Sequence, residues 1–387
     1  MNNLVALDLP QTQTFADAIK EAWNNEDAVF VIDPRLSQTE KQKLLERFRP
    51  HTLIRSTSKE HLKHPVPVMS GDALLVATSG TTGQPNGAIF TFKSLMASRD
   101  LVHARLNVDI KNDHFLACIP LAHVGGLGVV VRSILSNVKF TILESPKRAL
   151  IESVEDANIV SLVYSVLDQV DTEMWKAIVL GAMKTPDSLG PNIFTTYGLT
   201  ETFGGVVYNN TPLEGVNVRI INGLIEIKSP SLLRSYRNNI NGTIDEEGFD
   251  PKTKDGWFST GDIGEFDANG KLRVLGRKDD SINTGGETFF PSVVENVIAQ
   301  ANIVKEIVIS SVRDETYGER VVAVIVPFEN KSVTLNDIKT LVASKLPSYM
   351  KPREIIEFES IPKTALGKIM RNEIKALIRS DPLTAQT

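Results

Sequence analysis

The sequence predicts an α/β fold. We expect a large N-terminal domain of mixed and parallel sheets with helices, a β-rich subdomain within it, and a small α+β C-terminal domain. In the first half, short apolar runs typical of strands alternate with segments of helical periodicity. From about residue 215 the pattern becomes that of hairpins, and the last part combines helices with a strand pair that can bury its own core. The expected boundaries are 1–277 and 278–387, with the subdomain at about 215–275.

The elements of the first half can be assigned one by one. The strand Ala73–Ala77 runs into a loop of glycine, serine and threonine, and the segment Lys93–Leu106 then reads as a helix. A helical continuation is expected over Leu162–Val170. The remaining predicted elements are the helix Gln38–Phe48 and the strands Ala28–Ile32, Asn158–Val163 and Ala177–Leu180. This repetition favours a mostly parallel sheet.

The second half begins with a hairpin signal. Asn222-Gly223 separates the apolar runs Val216–Ile221 and Leu224–Ile227, and this dipeptide is typical of a type I′ turn. The later predicted elements are the strand Lys271–Leu275, the helix Pro291–Gln300 with proline near its start, strands around Ile307–Val312 and Arg320–Pro327, and the helix Leu335–Leu346 capped by Thr334.

The composition is that of an ordinary globular protein, with 42% hydrophobic and 23% charged residues over 387 positions. The formal net charge is −5, and neither a basic stripe nor a Lys/Arg run is present. These features exclude nucleic acid as the main partner, because such binding depends on clustered positive charge. Any phosphate binding must therefore come from local geometry.

The cysteine count and the apolar runs bear on location. Cys118 is the single cysteine, so it cannot form an internal disulfide, and this indicates a reducing compartment. Because Cys118 lies in an apolar stretch, we expect its thiol to be buried and inert. Met1–Pro10 lacks the pattern of a signal peptide, and runs such as Val129–Val131 are too short to span a membrane. We predict a cytoplasmic protein without a membrane partner. The oligomeric state is not determined, and a homodimer stays open.

The strongest local signal is the loop Thr78–Gly87, directly after a predicted strand. Its glycines allow close backbone approach to a ligand, and its hydroxyl and N–H groups suit phosphate oxygens. The candidate binding residues are Ser79, Gly80, Thr81, Thr82, Gly83 and Gly87. It is not a P-loop, because no Lys-Ser/Thr follows the glycine, and a flexible polar linker is the alternative. The strand before it and the helix expected after it favour phosphate binding.

A second signal is the segment Thr196–Thr202. Here the ring of Tyr197 can stack on a base, the hydroxyl of Thr200 can contact a phosphate, and the carboxylate of Glu201 can hold Mg²⁺. A buried tyrosine beside a capped helix start would explain the same residues. The segment alone is therefore a weak indication.

Three further motifs complete the set. They are Ser259–Asp262, the pair of segments Gly276–Asp280 and Thr284–Glu287, and Pro362–Lys368. A carboxylate after a tight turn suits paired ribose hydroxyls. Taken singly, Asp262 is better explained by a surface turn, and a lone lysine near the C-terminus is usually solvated.

In this order, the five motifs resemble the adenylate-forming superfamily of acyl-CoA synthetases, luciferases and adenylation domains of peptide synthetases. The resemblance covers residues 71–371. Within that superfamily the chain is most similar to the short o-succinylbenzoate–CoA ligases of menaquinone biosynthesis. The stretches that carry this similarity are Ile119–Leu127, Tyr197–Tyr208, Pro212–Val216 and Asp279–Gly286, together with the short segment before Ser79.

The resemblance implies an acid–thiol ligase that uses ATP, Mg²⁺ and coenzyme A. It implies the following roles: Ser79–Gly87 around the β- and γ-phosphates, Tyr197 and Gly198 beside adenine, Thr200 at phosphate, Glu201 at Mg²⁺, Asp262 and Arg277 at the ribose hydroxyls, and Lys368 bridging the substrate carboxylate and the α-phosphate. It also implies that the small domain is mobile about a hinge at Asp279 and presents Gly285 and Gly286 to coenzyme A.

The acyl pocket is only partly defined by the resemblance. His123 falls in the stretch that lines this pocket, although a histidine of the core is the alternative. Gly204 and Gly205 leave room for a ring. The second carboxylate of o-succinylbenzoate needs a donor or a cation, and the sequence does not identify that residue.

One position departs from the pattern of the superfamily. Its phosphate loop usually carries lysine where this chain has Asn86. Losing that cation would weaken ATP binding, and Lys93 or Arg99 are the residues that could compensate. The departure also raises a rival function, a nucleotide-binding regulator that has lost catalysis.

Two rival functions keep the adenylation chemistry. One is a free-standing enzyme that loads a carrier protein, and the other is a CoA ligase for a different aryl or acyl acid. Pyrophosphate release with a panel of acids, with and without coenzyme A, separates these from the regulator.

Overall fold

The computed structural model describes residues 2–78, 85–167, 169–181, 189–237, 239–240, 243–244, 246–329, 331–363 and 369–380. The chain forms two compact units. The first comprises Met1–Arg219, Glu226–Thr260 and Ala268–Leu272, and the second comprises Ile220–Ile225, Gly261–Asp267 and Arg273–Thr387. None of the helices in the described ranges has the length and apolar character needed to cross a membrane.

The secondary structure alternates strands and helices through the first unit, as predicted. The helices are α1 (Gln13–Asn24), α2 (Gln38–Phe48), α3 (Phe92–Leu106), α4 (Val124–Ser136), α5 (Arg148–Glu152), α6 (Tyr164–Leu167), α7 (Pro291–Gln300), α8 (Leu335–Ala343) and α9 (Arg371–Ser380). The strands are β1 (Leu4–Asp8), β2 (Ala28–Val31), β3 (Thr52–Arg55), β4 (Ser58–His61), β5 (Asp72–Thr78), β6 (Asn86–Thr91), β7 (His114–Ala117), β8 (Lys139–Ile142), β9 (Ile159–Val163), β10 (Ala177–Gly181), β11 (Ile193–Leu199), β12 (Gly204–Tyr208), β13 (Thr211–Pro212), β14 (Asn217–Ile221), β15 (Leu224–Lys228), β16 (Ser235–Arg237), β17 (Asn239–Ile240), β18 (Thr243–Ile244), β19 (Phe258–Phe266), β20 (Leu272–Arg277), β21 (Ile282–Thr284), β22 (Glu287–Phe289), β23 (Glu306–Asp314), β24 (Gly318–Val326) and β25 (Glu354–Glu357).

Two seven-stranded sheets build most of the first unit, in the orders β16-β6-β5-β2-β1-β3-β4 and β13-β12-β11-β10-β9-β7-β8. The inner strands are parallel, as in the pairs β1/β2, β9/β10 and β10/β11. Antiparallel pairs such as β5/β6 and β11/β12 lie toward the edges, and the edge strand β8 is parallel to β7. Mixed sheets of this kind confirm the predicted fold class. Fully buried side chains form the core against each sheet. Phe30 and Phe48, the latter from α2, pack at one sheet, and Leu162 and Ile178 pack at the other.

The predicted hairpin in the middle of the chain is confirmed. Asn222 and Gly223 both have positive φ, 51° and 79°, which is the backbone of a type I′ turn. This hairpin, β14 and β15, belongs to a four-stranded sheet of order β14-β15-β19-β20.

A five-stranded sheet, of order β22-β21-β24-β23 with β25 beside β24, forms the centre of the second unit. Alternate residues of β24 face opposite sides, as the pleat requires. Val321, Ala323 and Ile325 pack with residues of α7 and α8, whereas Val322 and Val324 pack with residues of α9. The strand is therefore apolar without interruption from Val321 to Val326, because helices cover both faces of the sheet there.

The helix predicted over Leu335–Leu346 is shorter than expected. It begins at Leu335 behind the Thr334 cap, whose hydroxyl accepts from the Asp337 N–H at 3.2 Å, but it ends at Ala343 rather than Leu346. Ser344 ends it with a hydroxyl that donates to the Leu341 carbonyl at 2.7 Å. A serine that bonds its own preceding turn is a common helix terminator.

Candidate active site

The glycine-rich loop connects two antiparallel strands. Thr78 at the end of β5 pairs with Asn86 at the start of β6, and Ala77 pairs with Gly87. Ser79, Gly80, Thr81, Thr82 and Gly83 lie outside the described residues. The helix predicted after this loop, Lys93–Leu106, is confirmed as α3, and the strand β6, which was not predicted, lies between the loop and that helix. The run Gly87–Phe90 is short and buried on both faces, so it extends the sheet.

Gly87 is required by a close approach of helix α2. A Cβ on Gly87 would lie 2.9 Å from the ring of Phe48, the last residue of α2. The other end of this helix is fixed by a capping box, in which Ser37 and Glu40 exchange hydrogen bonds. The loop end is thus built against a well-defined helix.

The Tyr197–Thr202 segment forms the end of β11 and a single 3₁₀ turn, followed by β12. A Cβ on Gly198 would lie 2.0 Å from the Gly204 carbonyl oxygen, so only glycine permits this crossing of the two strands. The Thr202 hydroxyl accepts from the Leu199 N–H at 2.8 Å and holds the turn. Tyr197, Thr200 and Glu201 therefore share a rigid corner and are each partly exposed.

The Glu201 carboxylate has a defined partner. The Tyr236 hydroxyl on β16 donates to Glu201 Oε1 at 2.7 Å, and the Leu233 N–H donates to the Glu201 carbonyl at 2.8 Å. Sequence reasoning missed Tyr236, because it lies 35 residues away on another strand. In the described ranges, no three His, Cys, Asp or Glu side chains cluster as metal ligands. One carboxylate fits Mg²⁺ that is held mainly by nucleotide phosphates and water.

His123 immediately precedes α4 and belongs to a small polar cluster with two residues that follow β2. Arg35 forms a two-pronged ion pair with Asp33, at 2.8 and 2.6 Å. One Arg35 Nη lies 3.2 Å from His123 Nε2, and an Asp33 oxygen lies 3.7 Å from the same nitrogen. Burial lowers the pKa of His123, and the Arg35 charge lowers it further against the opposite effect of Asp33. The imidazole is therefore neutral at pH 7, with Nε2 accepting from Arg35.

Arg132 on α4 is a buried cation that sequence reasoning did not select. Its side chain is 8% exposed, and within the described part of the chain its Nε has no hydrogen-bond partner. Nη1 lies 3.4 Å from the Ser98 hydroxyl. A Cβ on Gly128 would lie 2.7 Å from Nη1, and one on the partly exposed Gly204 would lie 3.9 Å from it. Burial lowers the pKa of Arg132. The sequence did contain one indication of this buried cation, because Arg132 is the single charged residue in the apolar run Leu127–Ile134.

Asp262 and Arg277 are brought together within the second unit. Asp262 is buried on β19, and Arg277 ends β20 with its Nη1 3.2 Å from an Asp262 oxygen. Gly261 has φ +73°, and a Cβ there would lie 3.1 Å from the Arg277 guanidinium. Glycine therefore suits position 261, because the backbone there has a positive φ and the Arg277 guanidinium lies close to it.

The remaining predicted residues also lie in the second unit. Asp279 is exposed in the 3₁₀ turn Lys278–Asp280 that follows β20. Gly285 and Gly286 form the exposed two-residue turn between β21 and β22, with φ 61° and 84°. Lys368 lies outside the described residues.

Two protein families match separate parts of the chain. Residues 8–224 match the AMP-binding enzyme family, and residues 293–368 match the AMP-binding enzyme C-terminal domain. A probable 2-succinylbenzoate–CoA ligase of Mycobacterium tuberculosis is 33% identical over 335 residues, which cover 79% of this chain and 84% of that protein. An indoleacetate–CoA ligase of Aromatoleum aromaticum is 28% identical over 81% of this chain and 69% of that protein.

The fold is shared with a solved structure. The o-succinylbenzoate coenzyme A synthetase of Bacillus subtilis, in complex with ATP and magnesium ion, has a TM-score of 0.81 at 23% identity. The similarity covers 96% of this chain and 89% of that one. On these grounds the chain belongs to the AMP-binding enzyme family, which confirms the resemblance to adenylate-forming enzymes.

Proposed function

We propose that this protein is an ATP-dependent acid–CoA ligase whose acid is o-succinylbenzoate. The observation that carries the choice of acid is Arg132. A buried arginine whose Nε has no hydrogen-bond partner in the described part of the chain is costly, unless an anionic ligand supplies that partner. Its access is by way of Gly204, directly after the Tyr197–Thr202 corner, where the absent side chain leaves room for a substrate group.

The distal carboxylate of a dicarboxylic aryl acid suits this position. Arginine binds a carboxylate with paired N–H donors, and such charged hydrogen bonds are stronger than neutral ones. An acid without a second carboxylate would leave the arginine unpaired. The relatives named as 2-succinylbenzoate–CoA ligases support the same acid, while the indoleacetate enzyme represents the rival with a single carboxylate.

The first half-reaction requires alignment and neutralisation of charge. One carboxylate oxygen of the acid attacks the α-phosphorus of ATP, the bond from that phosphorus to the oxygen that bridges it to the β-phosphate breaks, and pyrophosphate leaves. Lys368 neutralises the carboxylate and the α-phosphate, and Glu201 holds the Mg²⁺ that comes with the nucleotide. Tyr236 keeps the Glu201 carboxylate in one orientation. Positioned charges of this kind typically contribute about 3 kcal/mol each to the transition state.

The second half-reaction transfers the acyl group. The thiol sulfur of coenzyme A attacks the acyl carbon, the acyl–phosphate oxygen bond breaks, and AMP leaves with that oxygen. We assign the residues 278–387 as the small domain, with Asp279 as its hinge and Gly285-Gly286 on its coenzyme A side. The exposed turn at residues 278–280 and the exposed glycine turn support these assignments. Asp262 and Arg277, paired in the structure, are assigned to the ribose hydroxyls.

His123 is assigned to the wall of the acyl pocket. Because Arg35 donates to its Nε2, the neutral ring carries its proton on Nδ1 and can donate there to a substrate oxygen. The assignment therefore depends on the tautomer with the proton on Nδ1, which the Asp33–Arg35 pair favours.

We also propose that the enzyme is cytoplasmic. The buried free thiol of Cys118 supports this location, and burial raises the pKa of that thiol to about 12. A homodimer is the oligomeric alternative to a monomer, and light scattering of the purified protein distinguishes them.

The decisive experiment measures pyrophosphate release with Mg²⁺-ATP and a panel of acids, with and without coenzyme A. We expect turnover with o-succinylbenzoate and acyl-CoA formation only when coenzyme A is present. Turnover with benzoate or indoleacetate but not with o-succinylbenzoate would overturn the acid and leave the ligase chemistry intact. ATP binding without turnover of any acid would favour a regulator.

A further inference from the structure

The guanidinium of Arg132 lies back over its own helix. Because the Cα–Cβ bonds of a helix tilt toward its N-terminus, a long side chain covers the residue four positions earlier. For Arg132 that residue is Gly128, which is buried one turn back on α4. A Cβ on Gly128 would lie 2.7 Å from Nη1, 2.9 Å from Nη2 and 3.1 Å from Cζ of Arg132. The guanidinium therefore occupies the space that a side chain at position 128 would fill.

The backbone of Gly128 does not itself require glycine. It is helical, and glycine destabilises the interior of a helix relative to alanine. The three atoms that a Cβ would meet all belong to the end of one flexible side chain, so an alanine would displace the guanidinium rather than the fold. Nη1 would have to withdraw from 2.7 Å to at least 3.4 Å, where ordinary van der Waals contact begins. The glycine thus sets where the cation lies.

Ser98 holds the same guanidinium from the neighbouring helix α3. Its hydroxyl is 3% exposed and accepts from Arg132 Nη1 at 3.4 Å. On another side of the guanidinium lies Gly204, where a Cβ would be 3.9 Å from Nη1. Two helices therefore fix the position of the cation, while the partly exposed Gly204 borders it on the side assigned to the acid.

We propose that Gly128 and Ser98 are positioning residues, which place the Arg132 guanidinium and thereby determine selectivity for an acid with a second carboxylate. The inference rests on the proposed function, since it takes the distal carboxylate as the ligand of Arg132. Groups that bind a substrate must be held within about 0.5 Å of the productive geometry. The displacement that an alanine at position 128 requires exceeds this tolerance.

The test is a double-mutant cycle of Gly128→Ala and Arg132→Met, measured as kcat/KM for o-succinylbenzoate with saturating Mg²⁺-ATP. Methionine lacks the three atoms that a Cβ at position 128 would meet, so it removes the group through which Gly128 acts. We expect Gly128→Ala alone to lower kcat/KM about tenfold, with the KM for ATP within about twofold of the wild type. In the Arg132→Met background it should change kcat/KM by less than about twofold.

Ser98→Ala provides a second cycle without added bulk, and it carries the test if Gly128→Ala does not fold. It should lower kcat/KM about fivefold, the usual effect of losing one hydrogen bond, and should have little effect in the Arg132→Met background. Val130→Ala is the matched control, because Val130 is buried two residues from Gly128, on the opposite side of α4. It should lower stability in urea and leave the kcat/KM for the acid within about twofold of the wild type.

Unfolding in urea repeats the first cycle without requiring turnover. Gly128→Ala should stabilise the Arg132→Met protein more than it stabilises the wild type, because alanine improves the helix once the guanidinium is removed. Equal effects of Gly128→Ala on stability in the two backgrounds would show that Gly128 does not position Arg132 and would overturn the inference.

These measurements separate the inference from the proposed function. If the wild type turns over o-succinylbenzoate and the losses in kcat/KM are additive in both cycles, the inference is refuted and the ligase stands. If the wild type turns over another acid instead, the proposed acid is refuted. Coupling of position 128 to position 132, in stability and in kcat/KM for that other acid, would then uphold the positioning role, and its absence would refute that role as well.

Discussion

The Tyr236 hydroxyl lies 2.7 Å from Glu201 Oε1 and joins two segments that the sequence separates by 35 residues. Tyr236 pairs with Ala88 on β6, the strand that leaves the phosphate loop. Glu201 sits in the 3₁₀ turn after β11. One hydrogen bond therefore links the two seven-stranded sheets at the proposed magnesium carboxylate.

Removing this hydroxyl should affect magnesium use more than folding. We expect Tyr236→Phe to lower kcat/KM for ATP about tenfold and to raise the Mg²⁺ concentration needed for half-maximal rate, because Glu201 loses its orientation. Initial rates over a magnesium series measure both. Tyr349→Phe is the control, since that ring packs against Phe289 in the second unit. An unchanged magnesium dependence would show that the bond is only structural.

Arg132 should determine the acid and not the nucleotide. We expect Arg132→Met to reduce kcat/KM for o-succinylbenzoate roughly 100-fold, the usual effect of losing a charged contact, with KM for ATP unchanged. Arg132→Lys should retain part of the activity. Because the replaced cation is buried and its Nε has no hydrogen-bond partner among the described residues, the methionine variant should be at least as stable in urea. A parallel loss with every acid would contradict the assignment.

Lys368 should act in one half-reaction only. We expect Lys368→Ala to reduce acyl-adenylate formation by about 10²–10³, while thioester formation from preformed acyl-adenylate persists. Pyrophosphate release and acyl-CoA formation are measured separately. Lys363→Ala is the control, because Lys363 pairs with Glu306. Equal losses in both steps would contradict the proposed domain alternation.

The free energy of unfolding should fall in acid because of His103, a residue of α3. Burial, the largest cause, and then the charges of Arg132 and Arg99 lower the pKa of His103 from 6.5 to about 4. Between these values the unfolded chain takes up a proton that the folded chain does not, so stability is full above pH 6.5 and falls as the pH approaches 4. Urea unfolding at several pH values should show a shallower fall in His103→Gln. Equal slopes in the two proteins would refute the shift.

The sequence predicted the elements whose signals are local. The helices Gln38–Phe48 and Pro291–Gln300 have the expected bounds, because a cap or a proline marks their starts. The Asn222-Gly223 turn was equally clear. Strand β6 was missed, since the run after the glycine-rich loop is too short for its period to show.

The site shows the same distinction. Motif residues could be named from the sequence, because each lies within a short segment of fixed order. Tyr236 and Arg35 could not, because their relevance depends on which elements become neighbours in the fold. Arg132 was detectable in principle, as a lone charge among apolar residues, but its meaning required its burial and its nearness to Gly204.

The fully buried Arg237 has a consequence for biosynthesis. Its guanidinium donates to the carbonyls of Phe48, Val66 and Pro67, which precede it by 170 to 189 residues. A nascent chain that ends before residue 237 exposes these acceptors to water and leaves β6 without its outer neighbour. The ribosome must therefore release most of the chain before this sheet can be completed, and an N-terminal fragment stopping at residue 219 should fail to fold.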